Sequence, residues 1–316
     1  MPRLPNFFVA GVPKAGTTSL YYYLDQHPQI FMSPIKEPHF FAPEIRAENC
    51  IPELRENLMN ESRSLSEYLS QPMRVKRFGG IITNWDDYLR LFANATHETA
   101  LGEASVCYLW SRKAAALIAE RIPDAKIIVM LRNPVDRAFS QYLHGVAEGA
   151  IRWSFREHIE RNLRYRSHEI CVHYPFLELG MYAEQLDRIL KQFGSNVWIG
   201  FHDDFKRWPL ETLSAICRFL CVSDDFQPDM GRRHLEAQVP RLRVIASLKR
   251  SRLWKAAAGL TPGRLRPLAR RVLNRKPGAD TISPQDRRYL IDFYREDVLK
   301  LAALLNRNLD DWLRIE

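Results

Sequence analysis

The sequence predicts an α/β protein, with three layers (α/β/α) built around a central, mostly parallel sheet. Three observations carry that expectation. Lys126 to Leu131 and Val197 to Phe201 are continuous apolar runs of strand length, the pattern of strands buried on both faces. Helical spacing follows each of them, and alternating strands and helices favour parallel sheets with right-handed crossovers. A third apolar run, Phe7 to Gly11, leads into a glycine-bearing turn and then a helix.

A helix is expected from Thr17 or Thr18 to about Gln26, because His27-Pro28 disfavours its continuation. Ile30-Phe31-Met32 reads as a short strand. Residues 42–80 are polar and irregular and are expected to run over the surface. The Lys126 to Leu131 strand is bounded by Pro123 and Pro134, and a helix is expected from about Val135. Leu210 to Leu220 has helical spacing. Ser283-Pro284-Gln285-Asp286 is a helix start, with Ser as N-cap, Pro in the first turn and an acid close behind. No internal repeat is visible, and a single domain over residues 1–316 is expected.

Composition narrows the function classes. The chain has 316 residues, 46% hydrophobic and 26% charged, which excludes low-complexity, collagen-like and disordered classes. No apolar stretch approaches the roughly 20 residues that cross a bilayer. The first residues carry no signal-peptide pattern, so a cytoplasmic location is expected. The odd set Cys50, Cys107, Cys171, Cys217 and Cys221 contains no CxxC pair and predicts reduced thiols. The net charge of +9 is concentrated. Twelve Lys and Arg residues, and no Asp or Glu, fall between Arg241 and Lys276, which leaves the rest slightly acidic. Apolar residues such as Leu253, Trp254, Leu265 and Leu268 interleave with them, so the stretch reads as an amphipathic basic segment at about 241–276. Such a face suits an anionic acceptor or peripheral contact with an acidic membrane surface. No nucleic-acid-reading module accompanies it, so no nucleic-acid partner is expected.

The stretch Gly11-Val12-Pro13-Lys14-Ala15-Gly16-Thr17-Thr18-Ser19 lies between a buried strand and a helix. A glycine-rich strand-to-helix turn offers backbone N–H groups and the positive end of a helix dipole to an anion. The spacing is similar to a nucleotide P-loop, but that loop places Lys directly after its second Gly. Here Thr17 holds that position and the lysine, Lys14, precedes Gly16. A second strand-turn-helix unit runs from Ile127 through Arg132-Asn133-Pro134 to Ser140. Arg132 falls at a strand's C-terminal end, where ligands of open α/β sheets sit. An Arg fork and a hydroxyl together suit a terminal phosphate.

With both anchors in view, the chain resembles the sulfotransferases that use 3′-phosphoadenosine 5′-phosphosulfate (PAPS), whose fold is P-loop NTPase-like. Pro13 to Leu20 resembles their 5′-phosphosulfate loop, and Leu131 to Pro134 with Ser140 resembles their 3′-phosphate motif. The resemblance continues through Lys36-Glu37-Pro38-His39-Phe40-Phe41, Gly102-Glu103-Ala104-Ser105, Gly180-Met181-Tyr182 and Leu309-Asp310-Asp311-Trp312. The Lys36 to Phe41 segment is most similar to the heparan-sulfate type of carbohydrate sulfotransferase and its bacterial relatives.

The resemblance implies in-line transfer of a sulfuryl group from PAPS to a hydroxyl or amine of a carbohydrate, glycolipid or other small-molecule acceptor. It leaves the desulfonated nucleotide PAP and requires no metal. Lys14, Ala15, Gly16, Thr17, Thr18 and Ser19 would hold the phosphosulfate, with Lys14 on the leaving oxygen. Arg132 and Ser140 would hold the 3′-phosphate. Glu37 is the candidate general base. His39 is its rival, because in an extended segment it would share a face with Glu37. His144, four residues after Ser140, lies on the same helical face and is a candidate for leaving-group or acceptor contact. Ala104 stands where heparan-sulfate enzymes often carry an active-site Lys. Arg275 and Lys276 fall where a late loop would close over the 3′-phosphate. Two other classes stay open on the residues themselves: a P-loop-type small-molecule kinase, and a non-catalytic protein that binds anions or a membrane surface.

Overall fold

A computed structural model of the chain describes residues 3–49, 64–164, 176–231, 239–240, 274–275 and 281–315. The order of elements is β1 (Phe7–Val9), α1 (Thr17–Leu24), β2 (Ile30–Met32), β3 (Ile35–Lys36), β4 (Arg77–Phe78), α2 (Trp85–Arg90), β5 (Ala100–Ala104), α3 (Cys107–Trp110), α4 (Ala114–Arg121), β6 (Lys126–Leu131), α5 (Pro134–Ala147), α6 (Phe155–Arg164), α7 (Tyr182–Phe193), β7 (Val197–Phe201), α8 (His202–Arg207), α9 (Pro209–Leu220), β8 (Val239–Pro240), β9 (Asn274–Arg275) and α10 (Pro284–Leu305).

The central sheet has the order β2-β5-β1-β6-β7, and every neighbouring pair is parallel. From β1 the chain moves outward to β2, whereas from β5 it crosses to β6 and on to β7. Right-handed crossovers in opposite directions lay their helices on opposite faces of a sheet, so α1 covers one face and α3 to α7 the other. The outward paths from β1 and β6 diverge, which makes the crevice beyond their C-terminal ends the switch point where ligands of such sheets bind. Phe7, Phe8 and Val9 are fully buried, and Ile127 to Leu131 nearly so. Each such side chain contributes about 1.5–3 kcal/mol relative to an exposed one.

Local signals set the helix starts. Asn133 Oδ1 accepts from Val135 N–H at 2.9 Å, and Pro134 opens α5. Ser283 Oγ accepts from Asp286 N–H at 3.0 Å at the start of α10. Helix α1 ends two residues short of the expected Gln26.

Two sequence expectations need correction or addition. Residues 42–80 do not simply run over the surface. Ala42, Ile45, Leu65, Leu69 and Met73 are buried, and β4 pairs with β3. Residues 64–69 are helical and bury Leu65 and Leu69 at i, i+4 spacing, a pattern too short to stand out among the polar residues around it. Strand β5, second in the sheet, was not expected at all, since Ala-Leu-Gly-Glu-Ala has neither an apolar run nor alternation. Of the basic segment, only the backbone of Asn274–Arg275 is described, paired antiparallel with Val239–Pro240. Residues 241–273 and Lys276, with Cys50 and Cys171, lie outside the described residues. Cys107, Cys217 and Cys221 are free thiols. Among the described residues, no helix is long and apolar enough to cross a membrane.

The β1–β5 pairing sets Phe7 opposite Gly102, and a methyl group at Gly102 would meet the Phe7 ring at 2.2–2.4 Å. Gly102→Ala therefore overpacks the sheet and is expected to destabilise the protein by about 1–3 kcal/mol, read as a lower urea midpoint at unchanged slope. An unchanged midpoint would contradict this packing.

Candidate active site

The first loop is sewn to the sheet before it turns. Ala10 N–H donates to Ile128 C=O at 2.8 Å and Val12 N–H to Met130 C=O at 2.9 Å. The loop then passes through left-handed backbone at Lys14 (φ 68°) and Gly16 (φ 85°). Gly16 suits its place doubly, since a Cβ there would lie 3.2 Å from the Phe205 ring. Helix α1 begins at Thr17 with no side-chain cap and no acid in its first turn. Its first helical bond runs from Leu20 N–H to Gly16 C=O at 3.0 Å. The N–H groups of Thr17, Thr18 and Ser19 are therefore those that helix geometry leaves without an intrahelical partner. Thr17 is buried, Thr18 and Ser19 are half-buried, and Ala15 is enclosed. This end can receive an anion.

The second anchor meets the first directly. Arg132 Nη1 donates to the Lys14 carbonyl at 2.8 Å, and Tyr182 Oη donates to the Arg132 carbonyl at 2.8 Å. Burial lowers the pKa of Lys14, and the charges of Arg132 and Lys36 lower it further, against an opposing pull from Glu148. Burial also lowers that of Arg132, while Asp136 and Asp203 support its charge. Two desolvated cations that repel each other favour an anion between or beside them. Ser140 and His144 follow one turn apart on α5, both half-buried. His144 Nε2 lies 3.2 Å from Glu148 Oε1.

Glu37 enters from the opposite side of the switch point, off the end of β3. Its N–H donates to the C=O of Ala104, the last residue of β5, at 2.8 Å. Oε1 accepts from Lys36 Nζ at 2.5 Å and Oε2 from Val106 N–H at 3.0 Å. The segment is not extended, as the face-sharing argument for His39 assumed. Glu37 (φ 67°) and His39 (φ 56°) are both left-handed. His39 Nδ1 still comes to 3.9 Å from Glu37 Oε2, but by this tight turn, and it lies 3.1 Å from Cys107 Sγ. Left-handed backbone at non-glycine residues costs energy and gathers at functional sites. Cys221 and Asn306, also left-handed, are merely helix C-caps.

Lys14, the pair Arg132 and His144, and Glu37 thus come from three separate stretches of chain, and Lys36 acts on two of them, through its charge on Lys14 and its hydrogen bond to Glu37. Lys36, Glu148, Asp203 and the Tyr182 hydroxyl also belong to this region and were not expected as site residues. Glu148 was legible in principle, at the i+4 position from His144. Lys36 directly precedes Glu37 in the sequence, whereas Asp203 and Tyr182 reach Arg132 only through the fold.

Burial holds His39 at about 4, with Glu37 opposing it. Burial and the nearby Lys14 hold His144 at about 4. Both imidazoles are neutral at pH 7 and poor proton acceptors. An NMR titration should find both midpoints well below the ordinary value of about 6.5, with no protonation between pH 8 and 5.5. A midpoint of 6.5 or above for either ring would contradict the geometry.

A family model described as sulfotransferase family matches residues 5–228. A sulfotransferase structure from Alicyclobacillus acidocaldarius superimposes with a TM-score of 0.70 at 32% identity, covering 99% of this chain and 100% of that one. The human bifunctional heparan sulfate N-deacetylase/N-sulfotransferase 2 is 27% identical over 99% of this chain, which spans 31% of that protein. Mouse carbohydrate sulfotransferase 15 is 29% identical over 51% of this chain and 31% of its own length. The α/β fold with its parallel sheet, the anion loop at its switch point and the match across most of the chain agree: this chain belongs to the sulfotransferase family.

Proposed function

We propose that the chain transfers a sulfuryl group from PAPS to a hydroxyl or amine of a carbohydrate acceptor. The observation that carries this is the hydrogen bond from Arg132 to the Lys14 carbonyl, because it unites two anion anchors at the crevice where one nucleotide can reach both. The names of the heparan sulfate and carbohydrate sulfotransferase relatives support a carbohydrate acceptor.

In this reading the α1 N-terminus, with Ala15, Gly16, Thr17, Thr18 and Ser19, holds the 5′-phosphate. Arg132 and Ser140 hold the 3′-phosphate. The bond from sulfur to the bridging phosphate oxygen breaks as the acceptor atom bonds to sulfur. Lys14 meets the charge that grows on the departing oxygen, a role suited to a cation already desolvated. Glu37 takes the acceptor's proton. Lys36 and the Val106 N–H hold two of its lone pairs, and a carboxylate has about four such sites, so about two remain, enough to receive the acceptor. The neutral His39 and His144 then serve as acceptor contacts. Ala104 leaves the position of the lysine seen in heparan-sulfate enzymes to a methyl group, so Lys36 supplies the cation on this side. A kinase is not favoured, since Thr17 stands where the nucleotide loop carries its lysine.

The test is incubation with labelled PAPS and a panel of carbohydrate acceptors, with PAP release as readout. Binding of ATP with magnesium, without affinity for PAPS or PAP, would overturn the proposal. Arg132→Ala should weaken PAPS binding by about 10–100-fold, the loss of one or two charged hydrogen bonds. It should leave affinity for adenosine 5′-phosphosulfate, which lacks the 3′-phosphate, within a few-fold. Glu37→Gln should lower turnover by about 10²–10⁴-fold at unchanged PAP affinity. Charge reversal within 241–276 should impair turnover on the true acceptor more than PAPS affinity if that acceptor is anionic, and equal losses would count against an anionic acceptor.

A further inference from the structure

Glu103 is wholly buried in β5, and a buried carboxylate without a cation is costly unless hydrogen bonds replace its hydration. Here three hydroxyls do so. Tyr108 Oη donates to Oε1 at 2.5 Å, Tyr88 Oη to Oε1 at 3.2 Å, and Ser105 Oγ to Oε2 at 2.8 Å. Two of these hydroxyls face both ways. Ser105 Oγ accepts from His39 N–H at 3.2 Å, and Tyr108 Oη accepts from Phe41 N–H at 3.3 Å. The same turn presents Val106 N–H to Glu37 Oε2. Two of the hydrogen bonds between the end of β5 and residues 37–41, those that hold the His39 and Phe41 amides, therefore pass through hydroxyls that Glu103 orders, alongside the direct backbone bond from Glu37 N–H to the Ala104 carbonyl.

That loop needs such a hold, because Glu37 and His39 both occupy left-handed backbone that no glycine relieves. A hydroxyl that donates to a carboxylate is fixed in orientation, and its lone pairs turn toward the loop amides. The ring of Phe40 stacks on Tyr88 at 4.5 Å, and Phe41 packs edge-on to Tyr108 at 5.9 Å. The residues that cage Glu103 thus also seat the aromatic side chains of the loop.

We propose that Glu103 is a positioning residue for the reaction, acting through Ser105 and Tyr108 to clamp the Glu37-bearing loop in its strained, proton-accepting geometry. This rests on the reading of Glu37 as base. Burial pushes Glu103 up to about 7, and Glu37 adds to the rise. The titratable groups facing it are Tyr88 from α2, Tyr108 from α3 and Glu37 from the loop, with Cys107 close by. The hydroxyl bonds are strongest to the ionised form. The clamp therefore tightens as pH rises through about 7.

The test is Glu103→Gln in the full chain, with a de-N-acetylated heparosan oligosaccharide as acceptor probe. Amide hydrogen exchange at His39 and Phe41 should quicken at least tenfold, and PAP affinity should stay within twofold. Turnover should fall about 10–100-fold at an unchanged KM for the probe, and the rise of wild-type turnover near pH 7 should flatten. Thermal stability at pH 8 should not drop, since the substitution removes a buried charge. A merely structural glutamate would instead lose stability and PAP affinity together. That result, unchanged exchange at both amides, or a wild-type pH profile in the variant overturns the proposal. If Glu103→Gln does not fold, Ser105→Ala and Tyr108→Phe each remove one relay and should each quicken one amide. A wild-type protein that neither binds PAP nor transfers sulfate defeats the sulfotransfer reading, and the exchange measurement still decides whether Glu103 clamps the loop.

Discussion

The bond from the Arg132 guanidinium to the Lys14 carbonyl joins two loops 118 residues apart in the chain. It also holds two cations side by side in a partly dry crevice, where burial and mutual repulsion disfavour both charges. An arrangement of that kind persists only because the surrounding fold over-determines it. Parallel pairing of β1 with β6 sets Ala10 and Val12 on the carbonyls of Ile128 and Met130, so both loops leave the sheet in register. The Tyr182 hydroxyl then fixes the Arg132 backbone from a third side. The cost of assembling the positive charge falls on folding, and a bound polyanion recovers it, which is the physical content of preorganisation.

The Glu37 side of the crevice is built from different materials. No glycine and no helix dipole prepares the Glu37 loop. It is a strained turn held by hydrogen bonds to the end of β5 and by an aromatic cluster in which Phe40, Phe41, Trp85, Tyr88 and Tyr108 touch one another. The two halves of the site therefore depend on different terms. The Lys14–Arg132 side relies on backbone dipoles and charge, and the Glu37 side on packing and buried hydroxyls.

Burial also divides the candidate proton acceptors. Desolvation acts on His39 and His144 and outweighs the pull of Glu37 on His39, and both stay neutral. Glu37 has a cation at 2.5 Å. The carboxylate thus has a basic group in contact, whereas burial keeps the two imidazoles neutral.

The sequence by itself determined the elements whose signals are local. The apolar runs of β6 and β7, the caps at Asn133 and Ser283, and the glycine-bearing turn before Thr17 each depend on residues within one or two turns of one another, so the parallel α/β class and the anion loop were legible. What only the tertiary structure decided depends on distant partners. Strand β5 is a strand because β1 and β2 flank it, although its own residues argue against one. Glu103 is tolerable there because the Tyr88 hydroxyl from α2 joins those of Ser105 and Tyr108, just after β5, in enclosing it. The left-handed turn that brings His39 to Glu37, and the approach of Asp203 and Tyr182 to Arg132, likewise follow from the fold. Pattern in one dimension reports on hydrogen bonds and faces that close locally, whereas charge, strain and burial at a site are set by which chain segments the sheet brings together.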